Sequence, residues 1–186
     1  MTENTQDRIV RLVEDLNKIG FPKSDGLDDH QIDTLELQLH REVPSLCKSL
    51  LRMVSWQGED VAVNPVVIQY DSPIGEIVFN GFYHALQWSD LTNSSQSDLE
   101  WYRELDVKDK VTVEGAVKPE IYNENRIFFS YGNGFYWFVD LDPGDGGVSG
   151  QVVMLYPMYQ EHYLKVMAPD ILSFAELILS FLSGNR

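Results

Sequence analysis

The chain has 186 residues, 44% hydrophobic and 12% aromatic, enough to bury the core of one domain and too apolar to stay unfolded. Its 29 Asp and Glu against 14 Lys and Arg leave a formal charge of −15, which argues against nucleic acid and anionic membrane surfaces as partners. One cysteine, Cys47, excludes an internal disulfide framework and fits a cytoplasmic, reducing setting.

A first helix is predicted from Gln6 to Lys18, where Ile9, Leu12, Val13, Leu16 and Ile19 recur at helical spacing before Gly20 and Pro22. The chain opens with no basic, apolar, small-residue progression, so no signal peptide is expected. After a polar loop, Asp33 and Glu36 have the spacing of a capping box for a second helix, with Leu35 and Leu39 inward. Pro44 suits the first position of a third helix, which carries Leu46, Cys47, Leu50, Leu51 and Val54 on one face and stops at Gly58. On that face Cys47 reads as a small core residue.

Past Gly58 the texture changes to short β-prone runs. Strands are predicted at Val66–Tyr70, Glu76–Asn80, Arg126–Ser130, Phe135–Leu141, Gln151–Tyr156 and Tyr163–Met167. Ser89 to Asp98 reads as a surface loop, and residues 97–107 as a short helix with Leu99, Tyr102 and Leu105 on one side. The last helix should run from Ile171 to Leu182, with Ser173 and Glu176 as its capping pair. At roughly 18 Å it is too short to cross a bilayer. Helices followed by a run of strands and a closing helix give an α+β fold, a single domain over residues 1–186.

The stretch from Phe138 to Val153, FVDLDPGDGGVSGQVV, carries the densest chemistry. As a calcium loop from Asp140 it has Asp142 in place, but Asp145 stands where glycine is needed and Gln151 where a bidentate Glu is needed. As a nucleophile elbow around Ser149 it lacks the final glycine and leads into a strand. His30, His40, His84 and His162 form no ligand spacing, so neither zinc nor any other metal or cofactor is expected. Gly132 and Gly134 precede a strand and read as a turn, not as a phosphate cradle. No motif specifies an enzyme.

Two readings of the loop remain. Asp140, Asp142 and Asp145 either solvate a turn between two buried strands or join a partner-binding patch, with Tyr131 as an aromatic anchor. The net charge likewise either keeps the protein soluble or steers a basic protein towards it.

Gly132-Asn133-Gly134, Asp140-Leu141-Asp142-Pro143 and Gly150-Gln151-Val152 together resemble the core block of the SMI1/KNR4 family, in the SUKH superfamily. The closing Ser173-Phe174 helix and residues 32–58 are similar to its C- and N-terminal patterns, so the likeness covers about 32–58, weakly, and 115–182 within a core block of about 32–182. Arg126-Ile127-Phe128-Phe129 replaces the family's Trp-Ile-Pro, and Val43 replaces the leucine before its proline. The resemblance implies a central, mostly antiparallel sheet with N-terminal helices and a C-terminal helix packed on it. It also implies no catalytic residues. Bacterial members are regarded as immunity proteins that neutralise a cognate toxin, often a nuclease. Fungal members resemble regulators of cell-wall synthesis that act by binding proteins, and a regulatory or scaffold role is the alternative expectation here.

Overall fold

A computed structural model of the chain describes residues 4–20, 23–56, 66–68, 77–79, 87–90, 92–95, 99, 111–157 and 161–184. Helices α1 (Thr5–Lys18), α2 (Asp29–Leu39) and α3 (Ser45–Met53) come first. Two short antiparallel pairs follow the helices in space: β1 (Lys23–Ser24) with β2 (Ser55–Trp56), and β3 (Val66–Ile68) with β4 (Ile77–Phe79). The central sheet holds β5 (Val111–Glu114), β6 (Arg126–Gly132), β7 (Phe135–Asp140), β8 (Gln151–Pro157) and β9 (His162–Ala168). Its order is β5-β9-β8-β7-β6, and α4 (Ile171–Leu182) closes the chain.

The fold is therefore α+β, as the run of helices and then strands predicts. Three of the sheet's four pairings are antiparallel; β5 joins β9 in parallel. β5 is not among the predicted strands, although its four residues, Val-Thr-Val-Glu, alternate apolar and polar as a half-buried strand does.

The near-continuous apolar run of β7 is explained by two cores. Phe135, Trp137 and Val139 face α1–α4, while Tyr136 and Phe138 face a second cluster with Phe128, Val153, Leu155 and Leu164. Successive strand residues point to opposite faces, so a strand buried on both sides has no polar alternate positions until its end. In the first core Phe79, Trp137 and Phe174 meet edge-on or tilted with ring centroids 5.2–5.3 Å apart, joining β4, β7 and α4. Cys47 is buried there, and burial pushes its thiol up to about 12.

The helix ends depart from the predicted caps. Asp28, not Asp33, caps α2: its carboxylate accepts from the Gln31 amide at 2.8 Å, and Gln31 Oε1 accepts from the Asp28 amide at 2.9 Å. Asp28 wins because its extended backbone aims the side chain at the first turn, whereas Asp33 lies inside the helix. Glu36 instead accepts from the Val43 amide at 2.7 Å and from Lys48 Nζ at 3.0 Å, pinning the α2–α3 turn. Pro44 is the residue before α3, and α3 ends at Met53 because Val54 turns extended; Gly58 lies outside the described residues.

α4 has the predicted bounds, but Asp170 caps it and the Ser173 amide donates to that carboxylate at 2.7 Å. Glu176 reaches across to Arg8 of α1 at 2.6 Å. The expected surface loop from Ser89 to Asp98 contains buried Ser89, Thr92 and Ser95, with helical residues at 88–90 and 92–95. Its cause is a strand amide that needs an acceptor: Phe128 N donates to Thr92 Oγ1 at 3.0 Å. Of the helix predicted over 97–107, only Leu99 is described, and it is helical and buried. Among the described residues, no helix is long and apolar enough to cross a membrane.

Candidate partner-binding surface

β7 and β8 pair antiparallel from Tyr136↔Leu155 to Asp140↔Gln151, and residues 141–150 form the loop between them. Across β6 the register continues with Arg126↔Asp140. Arg126, Asp140 and Gln151 thus stand in one row at the same end of three adjacent strands.

All three side chains are buried. Arg126 Nε lies 4.0 Å from Asp140 Oδ1, and the guanidinium sits 4.6 Å from the centre of the Phe138 ring. Its terminal nitrogens donate to the carbonyls of Lys118 and Ile121, both at 3.2 Å, and to that of Glu120. Burial pushes Arg126 down to about 10, still protonated at neutral pH, and pushes the Asp140 carboxyl up against the opposing pull of Arg126.

Gln151 completes the row. Its Nε2 donates to Ala116 O at 2.8 Å and Asp140 Oδ2 at 3.2 Å, while its Oε1 accepts from Val148 N at 3.3 Å. The loop backbone adds Gly150 N to Asp140 O at 2.8 Å, Leu141 N to Asn125 O at 3.0 Å and Gly144 N to Ala116 O at 3.2 Å. Gly147 lies so close to this segment that a Cβ would stand 2.5 Å from Ala116 O. The glycine-rich loop is thereby stitched to residues 115–125 along its length, rather than left free.

This geometry sorts the residues singled out in the sequence. Asp140 has no exposed surface, which corrects its place in a partner patch: alternation along β7 turns it inward beside Phe138, and Arg126 holds it there. Asp142 is partly exposed and bonded by Lys118 Nζ at 2.6 Å, a contact that holds its carboxyl below the usual range. Asp145 is exposed at the loop tip. Tyr131 is also exposed, but it packs on Tyr136 with ring centroids 4.6 Å apart, near the β6–β7 turn. Four residues of β7, roughly 13 Å, separate that level from the row containing Asp140. Tyr131 and the loop acids therefore stand at opposite ends of β7.

Val148 was missed. It is 58% exposed although its backbone is pinned by Gln151, and the signal was present: a β-branched apolar residue in a loop that from Asp142 onward is otherwise made of Asp, Gly, Pro and Ser. The Ser149 hydroxyl donates to Leu141 O at 3.1 Å, so it is spent on the turn. Among the described residues no group of three or more His, Cys, Asp or Glu is arranged to hold a metal. No family model matches the chain, and no curated protein matches it in sequence.

Proposed function

We propose that this chain is a non-catalytic protein-binding module, an immunity protein that neutralises a basic toxin by covering it. The observation that carries the reading is the locked β7–β8 loop, which holds Asp142, Asp145 and Val148 in fixed positions before any partner arrives. A surface ordered in advance loses less conformational entropy on binding, so more of its contact energy appears as affinity. The formal charge of −15 adds long-range attraction for a cationic surface such as the substrate groove of a nuclease.

The test is co-purification from the native host, then reconstitution with the identified protein. Expected is saturable inhibition of that partner's activity, with an association rate that falls steeply as salt rises. Replacing Asp142 and Asp145 together by Lys should slow association by about tenfold at low salt and flatten that dependence. A rate indifferent to salt removes electrostatic steering. Failure to find any saturable protein partner removes the binding reading itself.

A further inference from the structure

A groove lies directly beside the locked loop. The start of α3 (Pro44 to Cys47), the end of the loop (Val148 to Gly150) and the β9–α4 junction (Pro169 to Ile171) enclose about 280 Å³. Its floor is apolar, with Cys47 and Ile171 buried, and Val148 stands exposed at its lip. Apolar lining with exposed hydrocarbon at the rim is the anatomy of a side-chain receptor at a protein interface. The volume falls just under the range of about 300–1,000 Å³ that holds a drug-sized ligand, and suits a single large side chain.

The surroundings select the occupant by charge. None of the lining residues is basic. Exposed Asp145 lies three residues before Val148, and Glu42, whose side chain is 85% exposed and is approached by Lys48 Nζ at 3.4 Å, lies two residues before Pro44. Asp170, the acid within the lining, is already bonded to the amide and hydroxyl of Ser173. A second copy of this chain would bring another −15 against the same acidic rim, so self-association is opposed. A chain with positive charge is favoured. No side chain of the N-cap residue Pro44 caps the first turn of α3, whose residues line the groove.

We infer that this groove docks a leucine-sized or aromatic side chain carried on a basic segment of a partner protein, with Val148 closing over it. The inference rests on the protein-binding reading and assigns it a site. Val148 is then the specificity-determining contact, while Gln151 is a positioning residue that acts through the Val148 amide.

A synthetic peptide tests it: Lys-Arg-Gly-Leu-Gly-Arg-Lys, blocked at both ends, titrated into the ¹⁵N-labelled protein and followed by amide shifts. Expected are saturable shifts confined to residues 45–47, 148–150 and 170–171. Replacing the peptide's leucine by serine should weaken binding by at least about tenfold, from the lost apolar burial. Replacing its Lys and Arg by Glu should abolish it. In the protein, Val148→Arg should remove binding, and Val148→Ser should weaken it by about threefold with the fold intact, since the side chain is exposed.

Equal binding of the serine peptide, shifts spread over the surface, or no binding up to about 2 mM would each overturn the groove. So would a dimer in sedimentation that Val148→Arg dissolves, because the occupant would then be a second copy. If a native partner still binds Val148→Arg in full, the groove is refuted and the protein-binding reading stands. If the peptide docks as described but no native protein partner exists, the groove stands and that reading falls.

Discussion

At one end of β7 the chain reverses through two residues, Asn133 and Gly134; at the other it takes residues 141–150. The short end is closed by backbone geometry within two residues. Asn133 and Gly134 both have positive φ, 51° and 83°, which matches the twist of the strands that flank them. Aromatic pairs flank it: Tyr131 on Tyr136, and Phe135 stacked on Tyr156 at 4.7 Å. The long end cannot be closed that way, so buried polar side chains hold it, with an arginine, an aspartate and a glutamine in one row. A turn whose shape follows from two dihedral pairs leaves little surface to present. A loop anchored from beneath can carry Asp145 and Val148 outward and keep them there.

The comparison breaks most readily at Arg126. Arg126→Met leaves Asp140 buried without its countercharge and frees three carbonyls, those of Lys118, Glu120 and Ile121. A loss of about 3–5 kcal/mol is expected in urea unfolding. Adding Asp140→Leu should recover more than half of that, since the uncompensated charge disappears with it. A single-variant loss below about 1 kcal/mol would mean that the row is not what holds the loop. Gly147→Ala comes next. Its Cβ would meet Ala116 O at 2.5 Å and Pro143 Cβ at 2.6 Å, both within the loop's attachment. About 2 kcal/mol should be lost, and amide exchange should quicken at Val148 before it does in β7.

Much of the short end was legible in the sequence and little of the long end was. Asn-Gly between two β-prone runs specifies its turn locally. The buried β7 and its return along β8 followed from apolar runs either side of glycines, and α4 was bounded correctly by its own apolar stretch. What failed was anything fixed by cross-strand register. Asp140 sits in an acidic, proline- and glycine-bearing run, so it reads as surface; only the pairing Arg126↔Asp140 reveals that its countercharge comes from β6. Gln151 looked like a failed calcium ligand because its work is done through contacts with Ala116 and Val148, residues that no local spacing joins to it. The α2 and α4 caps slipped for a related reason. Several acids and hydroxyls stood within reach of each helix start, and backbone conformation decided among them.

At the short end, Gly134→Ala tests backbone closure. Positive φ penalises a Cβ there, and the Tyr156 ring edge would lie 3.1 Å away, but an exposed turn can yield. A loss of about 1 kcal/mol is expected, smaller than at Gly147, with no effect on amide exchange in the long loop. A larger loss here than at Gly147 would reverse the ranking of the two ends.

The smallest effect belongs to the sheet's β5 edge, where Glu114, half in water, meets the buried amine of Lys165. Glu114 accepts from Lys165 and Tyr163 of β9, and these bonds, that from Lys165 first, hold its carboxyl below the usual glutamate range. A carboxyl whose folded pKa is depressed contributes stability above its unfolded pKa and loses it as pH falls through the folded value. Glu114→Gln should therefore cost stability at pH 7 and nothing once both forms are protonated, the difference closing below about pH 4.3. Because the Glu114 side chain is 51% exposed, solvent screening limits the cost to about 0.5 kcal/mol. In Arg126→Met the deficit shrinks over the same range for the opposite reason. Buried Asp140, left unpaired, is relieved by protonation, so the variant gains stability as pH falls, whereas with Glu114→Gln it is the unsubstituted protein that loses it. Unfolding curves for the two variants between pH 7 and pH 3 separate a charge that works because it is paired in water from one that costs because it is alone in the core.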